Sequence, residues 1–188
     1  MTDEPKQFKS AAAWEKWLAK NHASSPGIWL RLARKASGVK SITHAQALDA
    51  ALCYGWIDAQ VKRESETFWN QRFMPRTRRS IWSKINREKA LALIAAGKMK
   101  PAGLAEVERA QQDGRWDQAY DSPKTATVPV DLQAALDASP KAAAFFKTLN
   151  SANRYAILFR VNTAKRAETR ERRITAIIKM LENGETYH

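Results

Sequence analysis

The chain has 188 residues and a mass of 21.2 kDa, enough for one sizeable core with a small appended domain but not for two full domains. Its hydrophobic content of 44% with seven Trp marks a globular chain, and no apolar run is long enough to span a bilayer. A net charge of +13 and a pI near 10.1 favour polyanions, anionic headgroups and phosphorylated or carboxylated small molecules over cations, while a single cysteine, Cys53, excludes an internal disulfide and any multi-cysteine zinc site.

The N-terminus, Met1-Thr-Asp-Glu-Pro-Lys-Gln7, is polar and lacks the apolar stretch of a secretory signal, so the expected compartment is the cytoplasm. Ser10 is placed to cap a helix over Ala11 to about Lys20, with Trp14, Trp17 and Leu18 as its buried stripe. After the Ser24-Ser-Pro-Gly27 turn, Ile28 to Ala33 alternates as a half-buried strand, with Ile28, Leu30 and Leu32 inward and Trp29 and Arg31 outward. Thr43 caps a second helix that ends near Gly55, with Leu48, Ala51 and Leu52 on its inner face.

From Trp56 the period becomes two, and Glu64-Ser-Glu66 is polar enough to turn a hairpin. With Ser65 at its centre, Ile57 faces Phe73, Ala59 faces Gln71 and Val61 faces Trp69 on a core side. Asp58 then faces Arg72, Gln60 faces Asn70 and Lys62 faces Phe68 on a polar side. A small antiparallel sheet of strands near 28–33, 56–63 and 67–73 is therefore expected, covered on its apolar side by the two helices. A third helix is expected from Ser80–Ser83 to Gly97, with Ile81, Trp82, Ile85, Leu91, Leu93 and Ile94 on its apolar side. A fourth runs from Pro101 to about Asp113, with Leu104 and Val107 inside.

Proline-bearing residues 115–130 read as an extended linker or arm. Beyond it there is no Trp, and three or four helices are expected, near 131–138, 140–149, 152–163 and 168–183. Phe145 and Phe146 are expected inside, and Ile174, Ile177, Ile178 and Leu181 form an amphipathic stripe. The class is α+β, with an N-terminal domain over 1–118, a linker over 119–130 and a helical C-terminal domain over 131–188.

Three runs carry a resemblance: Cys53-Tyr-Gly-Trp-Ile-Asp58; Gln71-Arg-Phe-Met-Pro-Arg76 followed by Ser80-Ile-Trp-Ser-Lys-Ile-Asn86; and Ala164-Lys-Arg-Ala-Glu-Thr-Arg170 with Arg173-Ile174. Together they resemble the YdeI/OmpD-associated family, also called bacteriocin-protection proteins. The resemblance implies a bacterial protein linked to resistance against cationic antimicrobial peptides and to envelope stress. It brings no catalytic residues and no cofactor. A chain of net charge +13 repels a cationic peptide, so a protective role would run through an anionic target or an indirect effect.

Candidate sites follow from charge and alternation. The polar sheet side gathers Trp29, Arg31, Asp58, Gln60, Lys62, Phe68, Asn70 and Arg72, a set suited to an anionic ligand or a nucleic acid, or simply covered by the C-terminal helices around an Asp58–Arg72 ion pair. Arg76, Arg78, Arg79 and Lys84 gather at a helix start, where free backbone N–H groups also attract anions. Arg166, Arg170 and Arg173 align on the last helix as a basic stripe or a plain solvent face. Cys53 and His44 lie half a revolution apart on one helix, so Cys53 reads as a packed residue, and His22, His44 and His188 lack metal-ligand spacing. An enzyme acting on an anionic small molecule in an Asp58- and arginine-lined cleft, and a docking module for an acidic protein, remain alternatives to the binding protein.

Overall fold

The computed structural model describes residues 4–188; Met1, Thr2 and Asp3 of the polar N-terminus lie outside the described residues. The protein is α+β, with eight α-helices and one three-stranded antiparallel sheet among the described residues. Among the described residues, no helix is long and apolar enough to cross a membrane. The chain divides into two compact units, residues 1–82 with 86–118, and residues 83–85 with 119–188.

The first unit is built on helices α1 (Ala11–Asn21) and α2 (His44–Cys53) and strands β1 (Ile28–Ala33), β2 (Trp56–Arg63) and β3 (Phe68–Pro75), in the sheet order β1-β3-β2. Ser10 caps α1 by accepting from the Ala13 N–H at 3.2 Å, and Thr43 and Gln46 form a reciprocal capping box on α2. Trp14 is fully buried, 5.3 Å from Trp17, 6.4 Å from Trp56 and 5.8 Å from Phe73 between ring centroids. Buried indoles require partners, and these have them: Trp14 Nε1 donates to the Ala47 carbonyl at 3.0 Å and Trp56 Nε1 to the His22 carbonyl at 3.1 Å. The aromatic core thus ties α1, α2 and the sheet together.

Helices α3 (Lys84–Ala95) and α4 (Pro101–Gln112) follow. A Cβ on Gly103 would lie 2.4 Å from the Cys53 carbonyl oxygen, and one on Gly55 would lie 2.8 Å from the Ala102 carbonyl, so the end of α2 and the start of α4 approach too closely for side chains. That approach moves the buried stripe of α4 to Gly103, Val107 and Ala110, and leaves Leu104, expected inside, 36% exposed. Ile81, Ile85 and Leu91 are likewise exposed rather than core, and Ala90 is the fully buried residue of α3.

The hairpin departs from its expected register. Asp58 pairs with Phe73 and Ile57 with Met74, whereas Val61 pairs with Gln71, Lys62 with Asn70 and Arg63 with Trp69. Three steps along β2 from Asp58 to Val61 match two steps along β3, which is a β-bulge. The bulge places Asp58 and Val61 on the same face, so the expected facing of Asp58 to Arg72 and of Ile57 to Phe73 does not form. Gln71 secures the bulge from within: it is buried, and its Nε2 donates to the Gln60 carbonyl at 3.2 Å. Phe73 is core as expected and Trp69 is half-buried, but Val61 is 62% exposed.

The second unit contains α5 (Val130–Asp137), α6 (Pro140–Thr148), α7 (Ser151–Asn162) and α8 (Ala167–Glu182). Ser139 caps α6, with Pro140 as its first residue, and Asn150 caps α7. Leu132, Leu136, Phe146, Ile157, Val161, Ile177 and Leu181 form the core, with Phe145, Ile174 and Ile178 partly buried beside it. Ala126 and Val128 pack against the same core, so this part of the expected linker is built into the unit.

Candidate binding face and flanking basic residues

Strand alternation places Trp29 and Arg31 of β1, Phe68, Asn70 and Arg72 of β3, and Lys62 of β2 on one sheet face. The Arg31 guanidinium carbon lies 3.7 Å from the Phe68 ring centroid, and its Nε donates to Glu64 Oε1 at 2.7 Å. Lys62 Nζ stands 4.4 Å and the Arg72 guanidinium carbon 5.7 Å from the Trp29 ring. Trp29, expected as an outward and exposed platform, is 5% exposed and lies beneath these cations. Each such contact contributes about 0.5–1 kcal/mol when exposed and more when desolvated, enough to hold the cations in register on the face. The bond from Arg31 holds the Glu64 carboxyl below its usual range, and the Asn70 amide, which is buried, adds to the shift.

Six of the eight residues expected on this face meet there. Asp58 does not: on the helix side, its Oδ2 lies 3.0 Å from His44 Nε2, and the His44 ring stands 5.8 Å from Trp69 and 6.2 Å from Phe73. The carboxylate only accepts, so His44 Nε2 carries the shared hydrogen. Gln60 sits exposed at the bulge. No residue spacing in the sequence announces the His44–Asp58 pair, because it depends on one extra residue in β2.

The expected anion cluster separates in a similar way. Arg76 turns inward, 5% exposed, with its guanidinium carbon 3.5 Å from the Trp82 centroid and Nη1 donating to the Ile81 carbonyl at 3.2 Å. Trp82 meets Trp116 edge to face at 4.9 Å, and buried Arg115 donates to the Ser80 carbonyl at 2.6 Å and pairs with Asp113. Arg78 and Arg79 stay exposed on a turn held by Thr77 and Ser80, whose hydroxyl accepts from the Thr77 N–H at 2.9 Å. Lys84, the first residue of α3, pairs with Asp121 at 2.8 Å. Burial pushes the Glu106 carboxyl up against the pull of Arg109, Arg76 and Arg115.

Of the three arginines expected as a stripe on the last helix, Arg170 and Arg173 make structural bonds, whereas Arg166, the N-cap residue of α8, is exposed. Arg170 donates to Asp131 Oδ1 at 2.9 Å and to the Val161 carbonyl at 2.8 Å, and Arg173 donates to the Arg160 carbonyl at 2.6 Å. The bond from Arg173 reaches a carbonyl near the C-terminus of α7, and Arg170 adds a further donor to the Val161 carbonyl, which also accepts from the Ala164 N–H at 3.2 Å. Cys53 is buried, and burial pushes its thiol above the usual range, which suits a packed residue and not a nucleophile. Among the described residues, no cluster of His, Cys, Asp and Glu is arranged to hold a metal ion.

Residues 6–106 match the family model described as a domain of unknown function (DUF8412), and residues 125–184 match the model described as bacteriocin-protection, YdeI or OmpD-associated. The runs at 53–58, 71–76 and 80–86 fall within the first match, and the run from Ala164 to Ile174 falls within the second. Neither the curated proteins nor the solved structures yielded a match. The first match covers more than half of the 188 residues, so the chain belongs to the DUF8412 family, and its second unit carries a domain of the bacteriocin-protection, YdeI or OmpD-associated family.

Proposed function

We propose that the protein is a bacterial, cytoplasmic binding protein with a bacteriocin-protection role, and that its first unit takes an anionic ligand, a nucleic acid among them, on the Trp29–Arg72 sheet face. The observation that carries this reading is the set of three cations, Arg31, Lys62 and Arg72, laid over the rings of Phe68 and Trp29 on one face. Guanidinium planes and ammonium groups held in this way supply both phosphate contacts and stacking surfaces. The net charge of +13 draws polyanions toward the protein and repels cationic peptides, so protection acts through an anionic target.

A titration of labelled single-stranded polynucleotide with the full chain tests this. If six phosphates are engaged, affinity for the single strand falls by about 300-fold between roughly 50 and 200 mM salt, and Lys62→Ala lowers the salt slope by about 0.7. Salt-insensitive binding, or a Lys62→Ala/Arg72→Ala pair that binds like the parent chain, rules the reading out. The basic surface would equally suit an acidic protein partner, and that alternative predicts capture of acidic protein but not polynucleotide. The His44–Asp58 pair favours a second reading, an enzyme acting on an anionic small molecule, with the pair as a proton-transfer dyad. In that case Asp58→Asn abolishes turnover while the protein keeps its fold.

A further inference from the structure

The second unit contains an open cleft of about 520 Å³ along α7, which Pro123 and His188 also line. Its volume falls in the range of small-molecule sites, about 300–1,000 Å³. Ala152, Tyr155, Ala156, Phe159 and Arg160 line it, spaced as one stripe of the helix. From Ala152 to Arg160 the trough is about 12 Å long at the helical rise. The two alanines make the room and the two rings make the wall.

The walls are held by contacts independent of any ligand. Tyr155 donates its hydroxyl to the Asp121 carbonyl at 2.8 Å, and burial pushes its phenol up, so it stays neutral. Phe159 meets Tyr155 at 6.0 Å and stands edge to face with Tyr120 at 5.1 Å. A third ring entering the trough would extend this herringbone arrangement, in which each edge-to-face or offset pair contributes about 0.5–1.5 kcal/mol beyond its buried area.

In the first turn of α7, Asn153 holds His188: its Nδ2 donates to the His188 main-chain oxygen at 3.2 Å and its Oδ1 accepts from the His188 N–H at 3.0 Å. Arg160, which also lines the cleft, lays its guanidinium 3.8 Å from the Tyr187 ring centroid. Stacking restricts the side-chain rotations and leaves the N–H donors in the guanidinium plane, the arrangement that grips a carboxylate or sulfonate with two bonds. A positioned donor fork also loses less rotamer entropy on binding.

We propose that this cleft is a binding site for a small aromatic anion, with its rings against Tyr155 and Phe159 and its acid group on Arg160. The site lies wholly within the second unit and does not rest on the sheet face of the first. Fluorescence titration of the full chain with anilinonaphthalene sulfonate should show one saturable site from which naphthoate displaces the dye. Naphthalenemethanol, the neutral counterpart, should compete about tenfold or more weakly, since it forfeits the charge-assisted bonds. Arg160→Gln should bring naphthoate down to the level of the alcohol. Ala156→Trp should fill the trough and lower dye affinity at least about tenfold. Ala152→Leu, at an exposed position, carries the same expectation should Ala156→Trp lower the melting temperature. Equal competition by acid and alcohol, or unchanged dye affinity in a variant that melts like the parent chain, overturns the proposal.

Discussion

The first unit is held by rings and the second by aliphatic side chains. Trp14, Trp56 and Phe73 are at most 1% exposed in the first, and all seven Trp fall in this unit. The second has Leu132, Leu136, Ile157, Ile177 and Leu181 at its centre. A helix presents the same stripe whether or not its neighbour shifts by a residue, whereas a strand reverses its faces when its register slips by one. The helical unit is accordingly governed by caps and periodicity, and the sheet unit by a single bulge.

Substitutions in the two units can break or sharpen this contrast, and tryptophan fluorescence reports the first unit alone. Phe73→Ala should have the largest effect, destabilising that unit by about 3–5 kcal/mol in denaturant unfolding, because the ring is fully buried against Trp14. Gly103→Ala should come next, at about 1–3 kcal/mol, since its Cβ would press on the Cys53 carbonyl oxygen at 2.4 Å, which is backbone and not a flexible side chain.

Gln71→Leu tests the bulge directly. It leaves the Gln60 carbonyl without the Nε2 donor and should cost about 1–3 kcal/mol. It should also move the NMR resonances of His44, whose partner Asp58 is positioned by the bulge. Unchanged His44 signals would mean that Asp58 is placed by something other than Gln71.

The smallest effect belongs to the second unit. Arg170 holds the Asp131 carboxyl below its usual range, so the pair contributes stability above the unfolded-state aspartate pKa, near 3.9, and loses it as pH falls through the depressed folded value. Asp131 is 45% exposed, which limits the gain. Asp131→Asn should therefore cost about 1 kcal/mol or less near neutral pH and nothing in strongly acidic solution, as read by helical circular dichroism.

Much of the fold is legible in the chain. Ser10, Thr43, Ser139 and Asn150 cap helices by hydrogen bonds that span only three residues, and the spacing of Ile174, Ile177 and Leu181 identifies the inner side of α8. The candidate face is legible in part, because Trp29, Arg31, Lys62, Phe68, Asn70 and Arg72 share it in the alternation and in the structure. Asp58 was out of reach because its side of the sheet depends on residues between it and the turn. Arg76 was out of reach for another reason: a basic run does not reveal that one member stacks on Trp82 six residues later.

By itself, the sequence determined the charge, the helix ends and the inward stripes, since these follow from composition and from contacts within one or two turns. Tertiary structure alone decided which cations reach solvent and which support the fold. Arg170, Arg173 and Arg76 are held by carbonyls and a ring on other parts of the chain, whereas Lys62 keeps an exposed place on the sheet face. The bulge made the same decision for Asp58, because one unpaired residue in β2 turns its carboxylate from the arginines of one face to His44 on the other.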